Sequence, residues 1–391
     1  MKKNPKKYLK IFFIVLMAIV VFAAMMLSSC KLATATTETT QTEQESGETS
    51  AAEETGQSTE ETAVETEETA SSEEITGEIN PLSGLALSDK ILNLRPLAIM
   101  VENTPDARPQ SGMTSADVVF EVVDEHGITR FVTVFSSYSP EMIGPVRSAR
   151  PYYAEIAASF DPIYVFWGTH PTFYITIEKL GLDYLSPNGD TSGASSITSN
   201  FVDPWEAGEN QDAIRDGTRQ RPHNAYVRPE RMREIAEELG YKTDWGQSPF
   251  HFKNEAPEGD RGDISDITID ISSTSYKVNF LYDSQTNTYL RSCGGQPSTD
   301  RETGKQVTVN NVIVLFTDIR ESGDAEGHMI VRTTQGGDAL YFLDGKVVEG
   351  TWGRTSALDS FELKDASGNN MLVNIGQTWV LMVQNVGMVD Y

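Results

Sequence analysis

RPLAIMVENTPDARPQSG, residues 95–112, is the stretch on which the fold turns. Its first half is mostly apolar, and a short apolar run bounded by turn residues reads as a buried strand. Its second half, TPDARPQSG, has the Pro, Asp, Ser and Gly of a loop. A polar loop therefore leaves a buried strand, and Arg108 rides in it.

Downstream, SADVVFEVVDEHG predicts a second strand around Val118–Val123. ITRFVTVFSS predicts a third, with Phe131, Val132, Val134 and Phe135 supplying β-propensity. PYYAEIAASF places Tyr152, Tyr153, Ile156, Ala157 and Phe160 on one helical face, with Pro151 in the first turn. PIYVFWG reads as a short strand. PERMREIAEELG reads as a second helix with Met232, Ile235, Ala236 and Leu239 on one face, stopped by Gly240. From about Tyr241 the period becomes two, in ITIDI, YKVNFLY, NVIVLFTDI and TWVLMV, and Asp344-Gly345 in YFLDGKVVEGTW is a strong hairpin signal. The expected fold is an α+β (or α/β) N-terminal domain over residues 79–241, with a mixed sheet and flanking helices, followed by a β-rich domain over 242–391.

Upstream, MKKNPKKYLK is a basic leader start, and the 17-residue apolar run after it ends in LSSC, Leu27 to Cys30. This pattern predicts a lipoprotein signal peptide over residues 1–29 and lipidation of Cys30; the competing reading is an uncleaved membrane anchor. Residues 30–78 are rich in Thr, Glu, Ser and Ala, with 14 acids against Lys31 over 31–78, and predict a disordered acidic linker. With Cys30 lipidated, Cys293 is a lone thiol, and stability must come from a hydrophobic core rather than a disulfide. The whole chain has 57 acidic and 31 basic residues, and residues 79–391 carry −18, which argues against nucleic acid as a partner. The expected location is the extracytoplasmic face of a bacterial membrane, held there by a lipid anchor, with a cell-wall polymer or lipid-linked precursor as partner.

ARPQSG, EHGITRF, IGPVRSARPYY, RPHNAY, GKVVEGTW and GQTWVLMV occur in that order from about Asn80 to the C-terminus. Together they resemble the YerB-like lipoproteins of Gram-positive bacteria, a two-domain family of unknown function. The resemblance implies a surface lipoprotein with two domains and supplies no reaction.

IGPVRSARPYY sets Arg147 and Arg150 just before a helix start, where cations are mildly disfavoured and an anion is welcome. Ser148 can cap the helix or donate its hydroxyl. Arg108, Arg130, Arg221, His223 and Asn224 are candidates to converge on the same anion. The competing structural reading pairs these arginines with Glu102, Asp106, Glu121, Asp124 or Glu125 and uses them to pin loops. A second functional reading is a metal-assisted phosphoryl or glycosyl-phosphate transferase, with Mg²⁺ on Glu102, Asp106, Glu121 or Glu125. In compartment and charge pattern alone it is similar to the LytR-CpsA-Psr phosphotransferases. Outside that reading no cofactor is expected. A third reading is a non-catalytic scaffold for another envelope protein.

The five histidines form no HExxH or Cys/His zinc pattern, and the chain has neither a G-x-S-x-G elbow nor a P-loop. Cys293 reads as an incidental thiol. Tyr164, Trp167, Tyr174 and Trp205 are either core aromatics or stacking surfaces for sugar rings, and residues 186–200 form a long polar loop, either a lid or a surface excursion.

Overall fold

The structure, a computed structural model, describes residues 73–137, 140–187, 199–246 and 248–391. The expected signal peptide, Cys30 and the linker up to residue 72 lie outside the described residues, as do residues 188–198 of the 186–200 loop.

The opening stretch is a strand. In β1 (Leu97–Glu102) all six residues are buried, and the same holds for β2 (Val118–Val123), while all seven are buried in β3 (Thr129–Phe135). Burial on both faces suits these mostly apolar runs, and it takes Glu102, Glu121, Thr129, Arg130 and Thr133 inside with them. β3 pairs antiparallel with both β1 and β2. β4 (Ile163–Val165) and β5 (Asp183–Leu185) extend the sheet in parallel beyond β1. From the second half come β6 (Asn311–Phe316), β7 (Gln335–Leu343), β8 (Lys346–Arg354), β9 (Glu362–Asp365) and β10 (Thr378–Val383).

All ten form one sheet in the order β9-β8-β7-β6-β10-β2-β3-β1-β4-β5. β10 joins the halves, pairing in parallel with β6 on one side and β2 on the other, with Val312 and Val119 both registered on Trp379. The β7–β8 hairpin turns at Asp344-Gly345, where both residues have positive φ, 54° and 67°. This is the backbone that Asp-Gly supplies at least cost.

One face of the central strands is covered by α1 (Pro151–Ala158), whose Tyr153 hydroxyl donates to Val122 O at 3.0 Å while Phe160 packs edge-on against Phe120. The other face is covered by a second sheet built around strands 266–270, 277–283 and 288–293, from which Phe280 reaches Trp379. Two further helices complete the N-terminal half, α2 (Pro171–Leu180) and α3 (Pro229–Glu238). The protein is therefore sheet-rich with modest helix content, all three described α-helices belonging to its N-terminal half, and its C-terminal half is β-rich. Among the described residues no helix is long and apolar enough to cross a membrane.

Candidate functional site

The segment from Pro145 to Arg150 is strapped between the carboxyl ends of β1 and β4. Arg147 N–H donates to Met100 O, Glu102 N–H to Pro145 O, Trp167 N–H to Arg147 O and Ala149 N–H to Gly168 O. In sheets of parallel strands, the crevice at these carboxyl ends is the usual place for a ligand. The strap turns successive arginines toward different partners.

Arg150 and Arg130 point into the protein. Arg130 Nε lies 2.7 Å from Asp124 and its Nη2 3.4 Å from Glu125, while Arg150 forks onto both oxygens of Glu125. Burial pushes the Glu125 carboxyl up, but the hydrogen bonds and charge of Arg150 outweigh it and bring it down to about 2. A carboxyl with a depressed folded value contributes stability above its ordinary value, here 4.5, and that contribution is lost as the pH falls toward about 2. Between those two pH values the wild type should lose stability more steeply than Glu125→Gln in acid titrations followed by circular dichroism. Parallel slopes would mean that Glu125 is not held ionised.

Arg147 looks the other way. Its Nε is 3.3 Å from Glu102, a fully buried carboxylate that also accepts from Thr104 Oγ1 at 3.0 Å and lies 2.9 Å from His223 Nδ1. Burial lowers the Arg147 pKa, Glu102 and Asp124 oppose this, and the charges of Arg130 and Arg150 lower it further. Arg147 lines a cavity of about 170 Å³ together with Val146, Trp167, Asp203, Trp205, Arg215 and Arg221. Asp203, the carboxylate in this lining, receives two bonds from Arg215, at 2.8 and 2.6 Å, and one from the Trp205 N–H at 2.9 Å. Burial raises the Asp203 pKa, but those bonds and the charges of Arg215 and Arg221 bring it below the ordinary range. Arg221 has no ion pair or hydrogen bond among the described residues, and its guanidinium lies 4.5 Å from the Trp205 ring centroid. The Trp167 indole N–H is buried without an acceptor, under the Arg215 guanidinium at 4.4 Å. The guanidinium groups of Arg147, Arg215 and Arg221 thus line the cavity, and its carboxylate, Asp203, is already bonded.

Trp205 is held in an unusual backbone. Its φ is 65°, and Glu206 N–H closes a three-residue turn onto Pro204 O at 2.8 Å. That turn with positive φ is rare and strained, at about 1–3 kcal/mol for a bulky residue. The Asp203 side chain braces it, and Trp205 is left 69% exposed at the cavity.

The remaining candidates take other positions. Arg108 lines a separate cavity with Ser275 and Cys293, donating to Asn103 O and Ser275 O. Ser148 caps nothing; its hydroxyl donates to Trp167 O at 3.2 Å. Asn224 is buried and accepts from Arg215 at 3.1 Å, so it props the cavity wall. The four acids considered for Mg²⁺ are not brought together. Glu121 is in the core against Arg291, Glu125 is held by arginines, Glu102 sits under Arg147 and His223, and Asp106 is exposed. Among the described residues the carboxylate-histidine group with metal-ligand spacing is Asp324, Glu326 and His328, none of them among those four acids. Tyr164 and Tyr174 are core residues. Sequence reasoning missed Arg215 and Asp203, because DPWEAG and DAIRDG carry no motif and their pairing joins residues twelve apart.

Such an architecture defines a two-domain, sheet-rich protein whose second half completes the sheet of the first. The family model described as "Protein of unknown function (DUF3048) N-terminal domain" matches residues 82–242, and that for the DUF3048 C-terminal domain matches residues 267–380. The chain belongs to this family. It is 32% identical over 308 residues to a Bacillus subtilis (strain 168) protein named "Putative lipoprotein YerB", the match covering 78% of this chain and 86% of that one. The crystal structure of the YerB protein from Bacillus subtilis is similar with a TM-score of 0.65 at 30% identity, covering 80% of this chain and 98% of that one.

Proposed function

We propose that this is a lipid-anchored envelope protein that binds a phosphate- or carboxylate-bearing cell-wall component or precursor, and that the anion enters the cavity between Arg147 and Arg221. The name of the Bacillus relative and the LSSC leader support the anchor. The observation that carries the binding reading is the guanidinium-lined cavity, in which Asp203 is already bonded to Arg215 while Arg221 makes no ion pair or hydrogen bond among the described residues. An anion there would receive charge-assisted bonds from one or two guanidinium forks.

The test is thermal unfolding of the full chain with inorganic phosphate and pyrophosphate. A ligand at a hundred times its Kd should add about 2.7 kcal/mol to the wild type. Arg221→Ala and Arg147→Lys should abolish or sharply reduce that gain, the lysine keeping a charge beside Glu102 but losing the planar fork. Wild-type protein indifferent to both anions would reject the site and leave the scaffold reading.

A further inference from the structure

We infer that the group bound in this cavity is a single anionic sugar unit, its ring on Trp205 and its charged substituent on Arg147 and Arg221; this rests on the anion reading above. Three observations point there. First, the cavity is about 170 Å³, below the roughly 300 Å³ at which sites for drug-sized ligands begin. It therefore admits one ring or one pendant group of a polymer.

Second, the cavity combines an apolar plate with charge. Trp205 is 69% exposed, and Arg221, 4.5 Å from its ring centroid, is its only ring partner among the described residues. An aromatic face of this kind is a rigid, low-entropy surface for a flat ligand. Free phosphate or acetate makes no use of such a plate, whereas a sugar carrying phosphate or carboxylate uses plate and guanidinium together.

Third, the donors are deep and the plate is outside. Arg147 is mostly buried and Trp205 is exposed, and both line the cavity. This order fits an acid or hydroxyl oxygen entering first with the ring behind it. An acidic peptide fits poorly, because its N–H groups need acceptors and Asp203 is already bonded to Arg215 and the Trp205 N–H.

The experiment is calorimetric titration of the full chain with four probes: inorganic phosphate, glucose 1-phosphate, N-acetylmuramic acid and uncharged N-acetylglucosamine. At least one anionic sugar should bind about tenfold or more tighter than phosphate. Glucose 1-phosphate winning would assign a phosphate-bearing polymer, and N-acetylmuramic acid a carboxylate-bearing one. Trp205→Ala should remove that advantage, so that within the variant the anionic sugars bind no tighter than phosphate. Anionic sugars binding no tighter than phosphate, or a Trp205→Ala variant that keeps the advantage, would overturn the sugar assignment while the anion site stands. Failure of phosphate and of both anionic sugars to bind would overturn the anion site itself. Tight binding of N-acetylglucosamine would show that the plate acts without the arginines and would also overturn the inference.

Discussion

Replacing Arg291 by Ala should lower the stability of the fold by about 3–5 kcal/mol, measured by urea denaturation. The Arg291 side chain is 2% exposed, donates to Glu121 at 2.8 Å and lies 4.5 Å from the Trp379 ring centroid and 5.4 Å from that of Phe131. Glu121 also accepts from Trp379 Nε1 at 3.1 Å, Asn103 at 3.2 Å and Thr129 at 3.0 Å. Removing the guanidinium leaves a carboxylate with no cation in the interface between the large sheet and the sheet packed on it. Removing both charges should cost far less, so Glu121→Gln with Arg291→Met should recover most of the loss. A single Arg291→Ala variant within about 1 kcal/mol of wild type would contradict the assignment of a buried, mutually dependent pair.

Arg130→Ala should be comparably damaging, by about 3–5 kcal/mol, because it strips the closest cation from the fully buried Asp124. Arg221→Ala should stay within about 0.5 kcal/mol of wild type without ligand, since that guanidinium only covers an exposed indole. The two variants come from arginines that look alike in sequence, and chemical denaturation of both separates the pinning role from the ligand-facing one. Equal losses would mean that Arg221 is tied into the fold as Arg130 is.

Much of the fold was legible. The strands read from Leu97, Val118 and Phe131, the helices opening at Pro151 and Pro229, and the Asp344-Gly345 turn all appear where periodicity and turn chemistry put them. These are local signals, and the physics behind them is local. α2 was not legible, because PTFYITIEKL is rich in β-branched and aromatic residues and folds as a helix on tertiary packing. The sharing of one sheet by both halves was not legible either, since strand pairing across more than 250 residues leaves no periodic trace. The candidate site was half legible. Arg147 and Arg221 were singled out by their loops, but nothing in IGPVRSARPYY tells Arg147, which faces a cavity, from Arg150, which forks onto Glu125. That difference is set by the strap between β1 and β4.

β10 is the last strand of the large sheet to be synthesised and lies between β2 and β6. Until residues 378–383 exist, β2 and β6 each carry an open, largely apolar edge of the kind that invites pairing with a stranger. Closure must then wait for contacts of very long sequence separation, which are slow to form. The fold therefore audits its own length. A chain broken off anywhere before Thr378 lacks the strand that joins the two halves, and it is marked as incomplete by the two edges it cannot cover.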